Sequence, residues 1–181
     1  MRLAIACAVI ALSASACAAP PPPPAPEPPP STAVRDSLKS AMDMIASNIT
    51  RAAEQVPEAR YSYRATPDVR TMGQLFGHVA DASYAMCGTV SGTAAPAESV
   101  ETTKKTKVEI QQALTDAFAF CGRAFDTVND STGGAAVTLF ETINTTKLGA
   151  LAFNNAHNME HYGNIVTYMR LNKMVPPSSQ Q

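Results

Sequence analysis

Phe153-Asn154-Asn155-Ala156-His157-Asn158-Met159-Glu160-His161-Tyr162-Gly163-Asn164 lies inside a segment from about Thr146 to Leu171 that carries Leu148, Leu151, Tyr162, Ile165, Val166 and Met169 on one broad face. Apolar residues recurring at threes and fours predict a helix over that segment. His157 and His161 are four residues apart, so both imidazoles leave the same side of it. Helix and chemistry are therefore read from the same twelve residues.

Working outward, three more segments show the same period. Val34, Leu38, Met42, Ile45, Ile49, Ala53 and Val56 give a first long helix that ends before Pro57. Thr71 followed by Gln74 has the capping-box pattern and opens a second helix, striped by Met72, Leu75, Phe76, Val79, Ser83 and Met86 and ending near Gly88. Thr89 to Glu101 is rich in Gly, Ala, Pro, Ser and Thr and reads as a long loop. A third helix follows with Val108, Leu114, Phe118, Cys121, Phe125 and Val128, and residues 129–134 end it. Pro176-Pro177 closes the last helix and leaves 178–181 as a polar tail. Four helices of similar length, in a chain without tryptophan and poor in aromatics, imply an all-α four-helix bundle.

The chain has 181 residues, of which about the first thirty do not read as part of a fold. Arg2, the apolar run Leu3 to Leu12 and the small residues that follow make residues 1–19 a secretory signal peptide. Two readings of its processing stay open: plain cleavage into the periplasm, or lipidation at Cys17, which would make the protein a membrane-anchored lipoprotein. Residues 20–31 are a proline-rich linker of polyproline II type. That leaves 32–177 for one domain, to which nothing before Thr32 is expected to contribute. A net charge of -1, with 16% charged residues and no basic stripe, excludes nucleic acid as a partner.

Beyond the export segment only Cys87 and Cys121 remain, an even pair in an exported domain and so a candidate disulfide. Both fall late in their helices, so they can meet only if helices two and three run parallel. The 89–101 stretch can return the chain along the bundle, and the topology is then up-down-down-up.

His78, midway along the second helix, completes a set of three histidines with His157 and His161. Neutral imidazoles donate to zinc, nickel, copper or iron, and three of them leave room for water or substrate, as catalytic rather than closed structural sites do. The pattern is not that of the HExxH proteases. Asn158 stands where their general base would be, and Glu160 points about 60° away from His157 on a helix of 3.6 residues per turn.

Gly77-His78-Val79-Ala80-Asp81-Ala82 and the 153–164 segment resemble the DinB/YfiT-like metalloenzymes, and Tyr63-Arg64-Ala65-Thr66-Pro67 resembles their approach to the second helix. The resemblance implies a DinB-like bundle with one divalent metal, nickel or zinc, held by His78, His157 and His161. Characterised members of that family are thiol transferases and an isomerase of maleylpyruvate that work in the cytosol, and this chain departs from them in carrying an export signal. Its residues read as an exported metal-dependent enzyme of hydrolase or transferase type acting on a small molecule, in which Asp81 or Glu160 is a candidate proton acceptor or, equally, a solvated helix residue or one that orients a ligating imidazole. Thiol cofactors held reduced in the cytosol are scarce outside it, so thiol transfer is not expected. The alternative is a noncatalytic metal-binding or interaction module of the cell envelope; a homodimer and membrane attachment through Cys17 are open.

Overall fold

The structure is a computed structural model that describes residues 27–180. The signal peptide, Cys17 and most of the proline-rich linker lie outside the described residues.

Helix α1 spans Ala33–Gln55, and its preceding Thr32 makes no side-chain cap. The cap comes from far along the chain. The Asp130 carboxylate accepts the backbone N–H groups of Val34 and Arg35 and the Ser31 hydroxyl, and Asp130 N–H donates to the Ser31 carbonyl. Folded contacts therefore begin one residue earlier than Thr32. Helix α2 spans Met72–Ser91, opened by the Thr71–Gln74 capping box. It passes through Gly88 and stops at Gly92, whose φ of 72° is a left-handed cap that glycine adopts without strain.

The connection read as an irregular loop contains a four-residue helix, α3, at Val100–Thr103, with Ser99 as its N-cap. Helix α4, Lys107–Asp126, starts at a second capping box, Thr106 with Glu109. Val108 was expected in its stripe but is 73% exposed; Ile110, Ala113 and Ala117 fill the inner face instead. Val34, likewise expected in the α1 stripe, is exposed. Strands β1 (Ala136–Leu139) and β2 (Ile143–Thr146) form an antiparallel hairpin that the all-helical reading did not include. Its turn places Phe140 and Glu141 at positive φ, as tight hairpin turns require. Helix α5 spans Lys147–Leu171 with Thr146 as N-cap.

Two buried clusters divide the bundle along its length. One joins Ile45–Val56 of α1 and its exit, Met72–Ala80 of α2, Ile110–Phe118 of α4 and Tyr162–Met169 of α5. The other joins Met42, Ala82–Val90, Cys121–Val128, Leu139, Ala150 and Leu151. The first halves of α2 and α4 thus meet the second halves of α1 and α5. That is the up-down-down-up arrangement.

Cys87 and Cys121 have their sulfurs at bonding distance and their Cα atoms 5.1 Å apart, which ties the parallel pair α2 and α4 near their ends. Beside them a polar layer crosses the core: Asn158 Nδ2 donates to Ser83 Oγ at 3.1 Å and to Asn154 Oδ1 at 3.4 Å. Asn155 Nδ2 donates to the Leu38 carbonyl, which joins α5 to α1. Nor does the chain end in a free tail after Pro177. The Tyr162 hydroxyl donates to Ser178 Oγ and accepts from Ser178 N–H, while Gln180 bonds Arg51 and Gln55. These contacts fasten the last residues to the far end of α1.

With its cysteines separated by 34 positions in sequence, the cross-link should stabilise the fold by about 3 to 4 kcal/mol through the unfolded chain. Reduction, or the Cys87→Ser/Cys121→Ser double variant, should lower the denaturant midpoint accordingly. Two titratable thiols in the denatured, unreduced domain would contradict the pairing.

Candidate metal centre

His78 sits in the second turn of α2, and His157 and His161 sit one turn apart near the middle of α5. The α2 and α5 helices pack directly against each other. One nitrogen of each imidazole lies within 4.8 Å of the other two. His157 Nε2 and His161 Nε2 are 3.2 Å apart. Ring centroids are 5.2 Å for His78 and His157, 4.6 Å for His78 and His161, and 4.4 Å for His157 and His161.

Two imidazole nitrogens bound ~2.0–2.1 Å from one ion stand about 2.8–3.4 Å apart between the octahedral and tetrahedral angles. The observed Nε2 separation matches that chord. Burial favours the uncharged form that a metal requires. It pushes His161 down to about 4, helped by the neighbouring His157, His78 and Arg70, and it lowers His157, with Glu160 opposing. The Nδ1 atoms of both α5 histidines are buried without a hydrogen-bond partner among the described residues. Three imidazole donors brought this close together fit a divalent ion of the nickel or zinc type.

The cluster found among the described residues comprises those three side chains and no carboxylate. An ion held there would leave its further positions to water or substrate. A cleft of 510 Å³ reaches His161 and is lined by Asp68, Arg70, Glu101, Asn164 and Tyr168. A second, of 360 Å³, reaches His78 from the side of Tyr84 and Ser99.

The two carboxylates proposed as proton acceptors are placed differently. Asp81 accepts three hydrogen bonds, from Ser99 Oγ and from the N–H groups of Val100 and Glu101, and so caps α3. Glu160 is exposed and has no hydrogen bond among the described residues. Sequence reasoning missed Glu101, whose Oε2 lies 3.1 Å from His78 Nδ1 and whose Oε1 accepts from Arg70 Nε at 2.9 Å. No helical spacing relates residue 101 to residue 78. The one available signal was a carboxylate within the connection that had to return past α2. Among the asparagines of α5, Asn154, Asn155 and Asn158 are buried and Asn164 lines the cleft.

The family described as the DinB superfamily matches residues 41–165. No curated protein matches the chain. Among solved structures, a DinB-like protein from Bacillus cereus superposes with a TM-score of 0.68 at 12% identity, covering 78% of this chain and 95% of that one. A DinB-like protein from Bacillus subtilis gives 0.65 at 15% identity, covering 80% and 98%. The mycothiol-dependent maleylpyruvate isomerase, as its H52A mutant, gives 0.61 at 13% identity, covering 72% of this chain. The chain spans 60% of that isomerase's length. At these identities the structural likeness speaks for the fold.

A histidine held neutral by burial stabilises the fold only while it stays neutral. Metal-free protein should be fully stable above the unfolded histidine value of ~6.5 and lose stability as pH falls from there toward the depressed His161 value of about 4. Melting temperatures of metal-free wild type should fall more steeply between pH 7 and 5 than those of His161→Asn. Equal slopes would refute the depressed value.

Proposed function

This chain belongs to the DinB superfamily, and from that premise we propose that it is an exported enzyme whose single divalent ion, nickel or zinc, is held by His78, His157 and His161. The observation that carries the reading is the convergence of three imidazole nitrogens within 4.8 Å, with no carboxylate completing the set among the described residues and with a cleft that reaches His161. A closed structural site fills four positions with protein donors, whereas three donors leave access for chemistry.

When bound, such an ion lowers the pKa of a ligated water or polarises an ester, amide or phosphoryl oxygen, which is hydrolase or transferase chemistry. The chain's own residues supply the rest. His157 and His161 stay uncharged near neutral pH because burial disfavours their protonation. Arg70 lines the cleft with its Nε donating to Glu101, and Asn164 and Tyr168 line it too. Tyr168 spends its hydroxyl hydrogen on the Arg70 carbonyl, so it shapes the wall rather than donating to a ligand. A small polar molecule is the expected substrate.

Export is supported by the charged, apolar and small-residue order of residues 1–19, and an oxidising compartment agrees with paired cysteines. Attachment through a lipidated Cys17 remains part of this proposal. The isomerase among the similar structures is mycothiol-dependent by name. An exported chain would meet little reduced thiol, and our reading gives this one a substrate that needs none.

The test is metal analysis of the purified mature domain followed by a hydrolase and transferase screen. Wild type should carry close to one nickel or zinc per chain. His157→Ala should lose stoichiometric binding and all metal-dependent turnover while keeping its helical circular dichroism, because that residue lies outside both apolar clusters. Equal metal content in the two proteins would rule the centre out.

A further inference from the structure

Three features of α2 converge on one point of the neighbouring connection. Gly77 leaves no side chain where α3 crosses, and a Cβ there would stand 2.7 Å from Glu101 Cα and 2.8 Å from Glu101 N. Real Cβ contacts are not that short, so the approach requires glycine. One turn later Asp81 takes the N–H groups of Val100 and Glu101 and the Ser99 hydroxyl, which fixes the start of α3 on the α2 surface. Between these anchors, at residue 78, the histidine turns its Nδ1 to Glu101 Oε2. Residues 77, 78 and 81 thus hold the backbone, meet the side chain and cap the short helix that carries Glu101.

Glu101 has a second partner, and the pair of partners decides the protonation pattern. Its other oxygen accepts from Arg70 Nε, a donor that cannot lose its proton. Arg70 is held in turn by the Tyr168 hydroxyl on its carbonyl. An ionised carboxylate only accepts, so His78 Nδ1 must carry the imidazole proton. The lone pair then lies on Nε2. A glutamine could not do the same work, since its single carbonyl oxygen can serve His78 or Arg70 but not both.

We propose that Glu101 is the positioning residue of the centre: held over Gly77 by the Asp81 cap and braced by Arg70, it fixes the tautomer and orientation of His78 so that Nε2 is presented to the ion. The proposal rests on the metal-binding reading above. Carboxylates that accept from the outer nitrogen of a ligating histidine raise its basicity and prevent ring rotation, and their removal costs roughly 10–100-fold in metal affinity. The α5 histidines have no such partner among the described residues. Ligand orientation by a charged group is therefore concentrated on the α2 side.

The experiment compares wild type, Glu101→Ala and Glu101→Gln in two measurements. In the first, nitrogen-15 histidine spectra of the metal-free proteins near pH 7.5 report which ring nitrogen of His78 is protonated. In the second, zinc and nickel are titrated into each protein, with thermal melts checking that each is folded. Wild type should show the proton on Nδ1, and Glu101→Ala should lose that single tautomer together with roughly 10–100-fold in metal affinity. Glu101→Gln should fall between them. An alanine variant that keeps the Nδ1 proton, or that binds zinc as tightly as wild type, overturns the proposal. So does an equal loss in both variants with an unchanged tautomer, the result of a merely structural role. If wild type itself takes up neither ion, the metal-binding reading falls, and the tautomer comparison still decides whether Glu101 orients His78.

Discussion

The parallel alignment of α2 and α4 is the constraint on which the rest of this structure depends. Antiparallel neighbours can be joined by a short turn, but parallel ones oblige the chain to travel back along the ~30 Å that a twenty-residue helix spans. Residues 92–106 make that return. The Cys87–Cys121 cross-link keeps the pair in step at one end, and Gly73 against Ile110 packs it at the other. Because the returning segment must cross the outer face of α2, it brings α3 over Gly77 and Glu101 to His78. Topology thus delivers an acidic side chain to the centre from a part of the sequence unrelated to it by any local pattern.

That dependence marks the boundary of what sequence could reveal. The long helices were legible because each has enough turns for an apolar period to repeat, and the Thr71–Gln74 box because its two bonds are local. The histidine triad was legible because His157 and His161 share a helix face and His78 is the only other histidine in the chain. Elements of four residues are a different case. Neither α3 nor the strands of the hairpin complete a period that could be told from chance. Asp81 looked like a free carboxylate for the same reason: the groups it caps lie eighteen to twenty residues away, brought there by tertiary packing. Val108 shows the reverse error, an apolar residue at the first turn of α4 whose inner face had already passed to Ile110.

The polar interior of α5 follows from its work. A helix that brings two imidazoles up to His78 is not uniformly apolar there, and the asparagines beside them need partners in the core. Asn154 and Asn158 find them in each other and in Ser83, and Asn155 in the Leu38 carbonyl. The large apolar side chains are displaced to the two ends of the bundle, Phe76 and Met169 in one cluster and Phe125 and Leu151 in the other. Apolar burial is supplied by these two clusters, while the level between them holds polar side chains of which only some atoms are hydrogen-bonded: the Asn154, Asn155 and Asn158 amides are tied, and the Nδ1 atoms of His157 and His161 are not.

The fastening of α1 to Asp130 also sets an orientation. Chain N-terminal to Ser31 leaves the bundle at the end where α4 finishes, whereas the cleft that reaches His161 opens among Arg70, Leu75 and Tyr168, at the end where α2 begins and α5 finishes. The cleft and Ser31 are therefore separated by much of the length of a helix. A domain tethered through its N-terminus would carry its opening outward, away from whatever holds it. Molecules arriving from the surrounding medium could then enter without passing the tether.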